Sequence, residues 1–413
     1  MFSSVFGDKY YCGIDIGSST IKACLLKREP SDRLEVLGIT DIRTLGFRKG
    51  MVTELEELTE CVQTVVRELE NITGCRIRQV CLGINNCLID VKRITTVIPL
   101  TERGHKVITS MDVRKLRRQA RLLGVGIDDE LLHDIPQVYQ IDGTASVVNP
   151  LGLYARNLGV SSLIIVSNAN RIRNIIKAVN HAGYDVLDVC LSIYVSSEFV
   201  LNLQEKKRGC MFIDIGAAST DIMVFKDGIL KELVKLPIGG DDFTISIANR
   251  FDLSFDLAEQ LKISYATAFN VDRHSDEEIL IKKEGRYISV KKRELYLAVK
   301  DKISPLVDGI SCVLEKAREE DRIECGIILV GGGALLSGLI EYIAEETKES
   351  VNLGKVRVFS KKLLPNLILF SSAFGLASYA SQQASLLKTS SSKGVGLIKE
   401  TINRIRELYV EYF

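Results

Sequence analysis

Two short stretches of this chain combine residue types that bind phosphate. Residues 13–20 read Gly-Ile-Asp-Ile-Gly-Ser-Ser-Thr, and residues 212–221 read Phe-Ile-Asp-Ile-Gly-Ala-Ala-Ser-Thr-Asp. Each stretch places an aspartate, Asp15 or Asp214, near the end of an apolar strand, before a turn of small and hydroxyl residues. Small residues let backbone N–H groups close around an anion, and hydroxyl groups donate further hydrogen bonds to phosphate oxygens. Each stretch therefore predicts a phosphate-binding β-hairpin.

Two such hairpins in similar sequence contexts are stronger evidence for a phosphate site than either hairpin alone. A single copy is weak evidence, because an ordinary turn with an acidic residue looks much the same. Two copies suggest a duplicated α/β domain whose halves hold one polyphosphate between them. Asp15 and Asp214 would then face a phosphate-bound Mg²⁺, which prefers carboxylate, water and phosphate oxygens.

A third turn lies late in the chain. The apolar segment Gly326–Val330 runs into the sequence Gly331-Gly332-Gly333-Ala334. Glycine lets a backbone approach a ligand closely at such a strand-to-helix turn. A tight structural turn is the alternative, but the position directly after a buried strand favours ligand binding.

Composition argues against several classes of protein. The 413 residues are 46% apolar and 26% charged with a net charge of +1, which is ordinary for a soluble globular protein and gives no electrostatic reason to bind nucleic acid. The ten cysteines form no C-x-x-C pair and have only four histidines as partners, so we expect reduced thiols in the cytoplasm rather than zinc or disulfides. We find no signal-peptide pattern, and no apolar run of about 18 residues that would span a bilayer.

The order of apolar segments predicts two lobes, each with an insertion. A helix is predicted over Glu54–Glu70 from apolar residues three and four apart, and a basic helix over Met111–Leu123, most simply with a solvated face. The predicted parts are a first lobe over 8–84 and 162–205, its inserted subdomain over 85–161, a second lobe over 206–238 and 323–383, its insertion over 239–322, a flexible linker over 384–394, and a terminal helix over 395–413.

Two phosphate hairpins and a late glycine turn, in that order, resemble the actin/Hsp70/sugar-kinase nucleotide-binding fold. A narrower resemblance covers roughly Tyr11 to Ala380. The segments that carry it are residues 133–143 (His-Asp-Ile-Pro-Gln-Val-Tyr-Gln-Ile-Asp-Gly), 149–152, 236–244, 258–262, 329–338 and 373–377. They are similar to segments of the bacterial cell division protein FtsA, and the first looks like the signature of its inserted 1C, or SHS2, subdomain.

This resemblance implies a fold and a ligand. The fold is α/β, an actin-like two-lobed duplicated nucleotide-binding fold with an inserted 1C-type subdomain and a C-terminal amphipathic helix; the ligand is ATP with Mg²⁺. Asp15 and Asp214 would hold Mg²⁺ or its waters and take part in any catalysis. By position, the nucleotide-binding residues are Gly17, Ser18, Ser19, Lys22, Gly216, Ala217, Ser219, Thr220, Gly239, Gly240, Glu259, Lys262, Gly332, Gly333 and Ala334.

The second hairpin departs from the family pattern. It has Ala217 and Ala218 where FtsA usually has glycine, and Ser219 where FtsA has threonine. Alanine can present its N–H to a phosphate here only if its φ stays negative. The segment Leu369–Ala373 also departs from the usual Ala-Thr pair before the closing helix.

Some of these residues have structural alternatives. Lys22 follows the first turn in a strand and points either toward the phosphates or into solvent. Glu259 and Lys262, three apart on one helical face, also suit a surface ion pair.

Two further residues concern catalysis. Glu198 lies in the segment that connects the lobes, where actin-like folds place water-orienting residues, and we expect slow ATP hydrolysis at most. His133 is interpreted as structural, because the sequence shows no metal partner or nucleophile for it.

The resemblance also implies partners. They are the C-terminal peptide of FtsZ, further copies of this chain in a filament, later division proteins and membrane lipid. FtsZ tails are acidic and apolar, so we expect a basic docking face in the second insertion. Arg293 and Lys300, seven residues apart on one helical face, are the candidates. A solvated helix start is the alternative.

The last residues of the chain predict an amphipathic helix. Its apolar stripe comprises Leu397, Ile398, Ile402, Ile405, Leu408, Tyr409, Tyr412 and Phe413. The opposite side carries three residues of each charge sign, so apolar insertion must dominate over attraction to anionic lipid. We expect this helix to place the protein on the inner face of the cell membrane at the division site.

The function implied is that of an ATP-binding actin homologue. It would polymerise and tether FtsZ filaments of the Z ring to the cytoplasmic membrane. A PilM-like pilus assembly protein and a small-molecule kinase of the same superfamily stay open. The kinase would need a catalytic carboxylate facing a substrate cleft, and the pilus protein would not need a lipid-binding tail.

Overall fold

The first lobe begins with an antiparallel meander that contains the first predicted hairpin. The computed structural model describes residues 9–391 except 30, 32, 86–88, 102–103, 269–276, 321–322, 362–363 and 365. The first elements are β1 (Lys9–Ile16), β2 (Thr20–Arg28), β3 (Leu34–Arg43), β4 (Phe47–Arg48), β5 (Met51–Val52), α1 (Leu55–Thr73) and β6 (Gln79–Ile84). Helix α1 confirms the helix predicted from apolar spacing: Leu58, Val62 and Leu69 are buried, and the helix ends at Gly74 in the left-handed conformation.

An inserted subdomain follows β6. It comprises β7 (Ile89–Pro99), β8 (Lys106–Val107), α2 (Ser110–Gly124), β9 (Asp129–Ile141), β10 (Ala145–Val147), β11 (Tyr154–Ala155) and β12 (Asn157–Asn168). Its main sheet has the order β10-β9-β12-β7, and α2 packs on it. The basic helix predicted over Met111–Leu123 is α2, and it begins at a capping box formed by Thr109 and Asp112.

The predicted end of this insertion is wrong. We expected residues 162–166 to be a strand of the first lobe, but they lie in the middle of β12, paired with β7 and β9. Leu163 and Ile165 on one face join the core of the first lobe, whereas Ile164 on the other packs against α2 at Gly124. A strand buried on both faces reads as a continuous apolar run, like a central lobe strand.

The chain then returns to the first lobe and crosses to the second. The elements are α3 (Ala169–His181), β13 (Asp185–Leu191), α4 (Ser192–Val200), α5 (Leu203–Arg208), β14 (Cys210–Ile215), β15 (Thr220–Lys226) and β16 (Ile229–Leu236). The second hairpin is formed by β14 and β15.

The rest of the second lobe contains its own insertion. The elements are α6 (Gly240–Phe251), α7 (Phe255–Tyr265), β17 (Glu278–Lys283), β18 (Arg286–Lys291), α8 (Lys292–Glu320), β19 (Ile327–Val330), α9 (Leu339–Thr347), β20 (Val351–Leu353) and α10 (Ser371–Ser391), with 3₁₀ turns at Gly333–Leu335 and Leu367–Phe370. Among the described residues, no helix is both long and apolar enough to cross a membrane.

The two lobe sheets have the same topology. The first has the strand order β13-β6-β1-β2-β3 and the second β20-β19-β14-β15-β16. In each, the first strand pairs antiparallel with the next strand of its hairpin and parallel with a later strand on its other side. The duplication predicted from the two hairpins is therefore present in the sheets.

Helix α10, the last described element, packs on the first lobe. We assigned residues 323–383 to the second lobe, but Phe374 and Ala377 of α10 are buried with Tyr11 and Cys24 of the first sheet. The predicted linker over 384–394 is also wrong in part, because α10 continues to Ser391. The predicted membrane helix, 395–413, lies outside the described residues.

Candidate functional site

The two hairpin turns are built in the same way. The N–H of Gly17 donates to the Thr20 carbonyl at 3.2 Å, and the N–H of Gly216 donates to the Ser219 carbonyl at 3.0 Å. The two residues at each tip, 18–19 and 217–218, lie outside the strand pairing and line a cavity. Each turn therefore presents backbone to the same space.

That space is a cavity of about 1010 Å³ between the lobes. Its lining includes 14 of the sequence-predicted residues: Asp15, Gly17, Ser18, Ser19, Lys22, Asp214, Gly216, Ala217, Ser219, Gly240, Glu259, Lys262, Gly332 and Gly333. The structure thus brings all three predicted motifs to one place.

Ala217 and Ala218 adopt conformations that suit alanine. Neither is among the residues with positive φ. Both alanines can therefore present their N–H groups to a phosphate. Neither backbone has to enter the left-handed region that L side chains avoid.

Three charged side chains lie in a row across each hairpin and the strand beside it. In the first lobe Asp15 pairs in register with Lys22, and Lys22 with Asp41. In the second lobe Asp214 pairs with Asp221, and Asp221 with Lys235. The Lys235 ammonium lies 3.2 Å from the Asp221 carboxylate. Each row has two acids and one base, but in a different order.

The order of charges alters the acidity of the site. Burial, with the charges of Asp221 and Asp15 adding to it, raises the pKa of Asp214 to about 7. Burial also raises the pKa of Asp15, but the charge of Lys22 and a hydrogen bond from Ser192 act in the opposite direction. Buried like charges disfavour one another's ionised forms. The site therefore favours a cation, which would lower both pKa values.

The carboxylates fit a hydrated divalent cation. In the described part of the chain, no three His, Cys, Asp or Glu side chains converge closely enough to enclose a metal ion. Asp15 and Asp214 border the same cavity from opposite lobes. Mg²⁺ is commonly held by one or two carboxylates, with waters and substrate phosphates completing its shell.

Position 331 requires a glycine because its backbone lies against the Asp214 carboxylate. Its φ is +87°, and a Cβ at this position would overlap Asp214 Oδ1. The late glycine turn therefore packs directly against the carboxylate of the second hairpin, and its next residues, Gly332 and Gly333, line the cavity. Glycine serves here both for the left-handed φ and for the close approach.

A polar network forms the second-insertion side of the cavity. The Lys262 ammonium donates to the Gly240 carbonyl at 3.0 Å and to the Thr244 hydroxyl at 2.9 Å. It also pairs with Glu259 at 2.6 Å, while Thr244 donates to the same carboxylate. Glu259 and Lys262 are thus a partly buried pair that faces the cavity, not a surface pair.

Four sequence-predicted residues do not line the cavity. Thr220 donates its hydroxyl to the Ile238 carbonyl at 2.8 Å, and Ala334 is buried in the second-lobe core. Gly239 instead packs against the tip of the second turn, where a Cβ would overlap the Ala217 carbonyl. Glu198 pairs with Lys206 at 2.8 Å, so the structure does not bring the expected water-orienting carboxylate to the cleft.

The sequence reasoning also missed residues that the fold brings to the site. Asp41, Asp221, Asp241, Asn366, Ser371 and Ser372 line the cavity. Ser192, at the start of α4, donates its hydroxyl to Asp15 Oδ1 at 2.6 Å. The alternation of β15 gave a signal for Asp221, which is seven residues after Asp214, but only strand register places the two side by side.

The two candidate partner-binding residues lie outside this cavity. Arg293 and Lys300 are exposed in the first turns of α8, and the Lys300 ammonium lies 5.7 Å from the centroid of the Tyr296 ring. They are available on one helix, as the seven-residue spacing predicted.

Family models match two parts of the chain. Residues 211–380 match the model described as cell division protein FtsA, and residues 89–166 match the SHS2 domain inserted in FtsA. The second match ends inside β12, in agreement with the sheet pairing and not with the boundary predicted from sequence.

Curated relatives match nearly the whole chain. The cell division protein FtsA of Pseudomonas aeruginosa is 29% identical over 93% of this chain and 92% of its own length. That of Streptococcus pneumoniae is 27% identical over 93% of this chain and 83% of its own length.

Solved structures show the fold. One is titled PilM-PilN type IV pilus biogenesis complex, with a TM-score of 0.66, 19% identity and coverage of 89% of this chain and 98% of that one. Another is MreB5 of Spiroplasma citri bound to ADP, with a TM-score of 0.52, 11% identity and coverage of 92% and 98%. With the two model matches together covering more than half of its residues, the chain belongs to the FtsA family of cell division proteins, with an actin-like fold and an inserted SHS2 domain.

Proposed function

We propose that this chain binds Mg²⁺–ATP between its lobes, polymerises, and tethers FtsZ filaments to the inner face of the cytoplasmic membrane, where it recruits later division proteins. The observation that carries the proposal is the meeting of two phosphate-type hairpins and a glycine turn at one cavity. Family membership supplies the cell-division setting.

The nucleotide assignment rests on the chemistry of the cavity. Its volume, about 1010 Å³, is ample for a nucleotide. The hairpin tips offer backbone and hydroxyl donors to phosphate oxygens, and Glu259 with Lys262 offers polar contacts for a ribose. MreB5 of Spiroplasma citri, which has the same fold, was solved with ADP and with AMPPNP.

The metal assignment rests on Asp15 and Asp214. These residues would hold Mg²⁺ directly or through its waters, and the bound cation would neutralise phosphate charge between the lobes. Lys22, opposite Asp15 in the strand register, would contribute a further positive charge.

Lobe closure is the proposed output of nucleotide binding. A ligand that contacts both lobes stabilises the closed arrangement in proportion to its preference for that arrangement. Because Glu198 is engaged with Lys206 away from the cavity, we propose that occupancy and not turnover sets the geometry between protomers, with slow hydrolysis.

The FtsZ contact is assigned to the start of α8. Arg293 and Lys300 are exposed there, and their positive charges complement the acidic residues expected in the FtsZ tail. Exposed charge pairs contribute little singly, so apolar contacts beside them must supply part of the affinity.

Membrane attachment is assigned to residues 395–413. Burial of each large apolar side chain contributes about 1.5–3 kcal/mol, but ordering a free tail at the interface offsets much of this gain. One protomer should therefore bind reversibly, whereas a filament combines many anchors through effective concentration.

One reconstitution tests both assignments. Liposomes with anionic lipid, the full chain, Mg²⁺–ATP and a labelled FtsZ C-terminal peptide are mixed and sedimented. The peptide should sediment only when the chain is present. The double reversal Arg293→Glu with Lys300→Glu should release the peptide and keep the chain on the lipid, whereas Lys302→Glu, elsewhere on α8, should have little effect.

The tail is tested in the same assay. Ile402→Glu with Ile405→Glu, or deletion of residues 394–413, should release the chain from the liposomes. Arg404→Glu makes the same change in net charge but leaves the apolar stripe intact, and should sediment nearly as the parent does. Unchanged sedimentation of the stripe variant would remove the tail as the anchor, and unchanged peptide binding would remove the α8 contact.

The two alternatives have distinct outcomes. A PilM-like protein shares the fold, but it would not require FtsZ peptide or lipid, so the parent chain would fail both parts of the reconstitution. A small-molecule kinase would transfer the terminal phosphate of ATP to an acceptor such as a sugar. Labelled ATP with candidate sugars measures that transfer directly.

A further inference from the structure

His133 occupies a position that the proposed function does not use. It lies in β9 of the inserted subdomain, and its side chain is buried. Strand β13 is the edge strand of the first-lobe sheet. The N–H of Leu191, at the end of β13, donates to His133 Nε2 at 3.0 Å. The imidazole therefore supplies the acceptor that an edge strand lacks.

The hydrogen bond from Leu191 leads directly to the nucleotide cavity. Leu191 is the N-cap of α4, and the next residue, Ser192, donates its hydroxyl to Asp15 Oδ1 at 2.6 Å. The His133 ring also packs on Tyr194 of α4, with ring centroids 4.4 Å apart. His133 of the inserted subdomain thus contacts Leu191 before Ser192 and Tyr194 after it.

The surroundings leave little room for this turn to move. Gly83 lies in register with Asp15, and a Cβ there would overlap the Ser192 hydroxyl. Behind α4, a Cβ at Gly375 of α10 would overlap the Val195 carbonyl. Close packing of this kind transmits small displacements instead of absorbing them.

His133 is also in the right protonation state. Burial lowers its pKa to about 3, so the ring is neutral at physiological pH. A neutral imidazole has one acceptor nitrogen and one donor nitrogen, and Nε2 acts as the acceptor here.

We propose that His133 is a positioning residue for the nucleotide site, holding Ser192 against Asp15 and so coupling the inserted subdomain to the occupancy of the cleft. This inference rests on the proposed binding of Mg²⁺–ATP. By linkage, a partner that shifts β9 would alter nucleotide affinity, and nucleotide would alter the affinity for that partner by the same factor.

The test is a double-mutant cycle measured by calorimetry. His133→Phe keeps a ring and removes the acceptor, whereas His133→Gln keeps an acceptor at a similar reach. Ser192→Ala removes the donor to Asp15. We expect His133→Phe and Ser192→Ala each to weaken Mg²⁺–ATP binding by about threefold to tenfold, the range for loss of one hydrogen bond. Their combination should weaken it little further, because both act on one contact.

The controls separate positioning from general loosening. His133→Gln should recover most of the affinity. Lys92→Met removes the 2.7 Å ion pair with Asp129 inside the inserted subdomain without touching Leu191, and should bind Mg²⁺–ATP as the parent does. Binding of ATP without Mg²⁺ should change less than binding of Mg²⁺–ATP, because the affected carboxylate is Asp15.

Several results would overturn the inference. They are unchanged Mg²⁺–ATP affinity in a folded His133→Phe variant, additive losses in the double variant, or an equal loss in Lys92→Met. A parent chain that binds no nucleotide would instead refute the proposed function.

The parent chain alone supplies a test if His133→Phe does not fold. Mg²⁺–ATP should slow hydrogen exchange at residues 131–137 of β9, which do not line the cavity. Slowed exchange at the hairpins but not at β9 would show that the coupling is absent.

Discussion

The two lobes place the same charges in a different order. In the first lobe a lysine stands between two acids, Asp15–Lys22–Asp41, whereas in the second an acid stands beside Asp214 and the lysine is third, Asp214–Asp221–Lys235. Both rows carry the same net charge. Burial and then the charge of Asp221 raise the pKa of Asp214 to about 7, against a smaller opposing effect of Lys22 and Lys235. Burial raises the pKa of Asp15 as well, but there the charge of Lys22 is the second-largest influence and opposes the rise.

This difference shows that position, and not the number of charges, sets the chemistry of each half. The first lobe resembles a preformed anion site, because its lysine lies next to the metal-type carboxylate. In the second lobe the buried carboxylates of Asp214 and Asp221 repel each other, and a bound cation would reduce that repulsion. We therefore expect the second lobe to respond more strongly to Mg²⁺ and to pH.

The largest effect should come from removal of the second-lobe carboxylate. Asp214→Ala should abolish Mg²⁺–ATP binding, a larger loss than the roughly 10- to 100-fold typical for an outer-shell partner of a metal. It should leave the protein folded, because the change also removes buried repulsion. Calorimetry with Mg²⁺–ATP and thermal unfolding measure the two outcomes. Unchanged affinity would mean that the two-hairpin site is wrong.

A large effect on stability should come from the glycine behind that carboxylate. Gly331→Ala places a Cβ on Asp214 Oδ1 at a φ of +87°, and we expect a loss of about 2–4 kcal/mol in the free energy of unfolding. Gly83→Ala, beside the carboxylate of the first hairpin, meets side-chain atoms of Ser192 and Leu376 but has no left-handed φ, and should cost less. Urea denaturation compares the two variants. Equal losses would show that the glycines have equivalent roles.

An intermediate effect is expected on pH dependence. The raised pKa of Asp214 means that the native state without ligand binds more protons than the unfolded state between about pH 4 and 7. Its stability should therefore fall as pH rises through that range, while Mg²⁺ affinity increases as Asp214 ionises. Asp221→Asn should move both midpoints to lower pH. Titration by calorimetry from pH 5 to 9 would detect the shift, and an unchanged midpoint would exclude Asp221 as its cause.

The smallest effect should come from the outer acid of the first lobe. Asp41 is exposed and separated from Asp15 by Lys22, so Asp41→Asn should change Mg²⁺–ATP affinity by no more than about twofold. The variant is matched to Asp221→Asn in chemistry and differs in burial. A large loss with Asp41→Asn would contradict the contrast between the lobes.

Much of the site could be predicted because phosphate-binding turns are local. Gly17, Ser18 and Ser19 follow Asp15 directly, so their types and spacing define the turn without reference to the rest of the chain. The same holds for Gly216 and the late glycine turn. Duplication strengthened the prediction, because a second copy of one pattern implies a second copy of its surroundings.

The error at the insertion boundary came from a buried segment whose neighbours are distant in sequence. Residues 162–166 are apolar on both faces, and the pattern is the same whether the two covering layers belong to a lobe or to an insertion. Glu198 was predicted to orient water because it lies in the segment that connects the lobes. The direction of its side chain instead depends on which face of α4 carries it and on its ion pair with Lys206.

The sequence by itself determined the two hairpins, the glycine turn and the family, because each depends on residues that are adjacent along the chain. Only the tertiary structure decided which charges meet. Strand register sets Lys22 opposite Asp15 but Asp221 opposite Asp214. The packing of β9 on β13 brings His133 to Leu191 across 58 positions. Such contacts depend on how separate elements pack, a property that no local pattern of residues specifies.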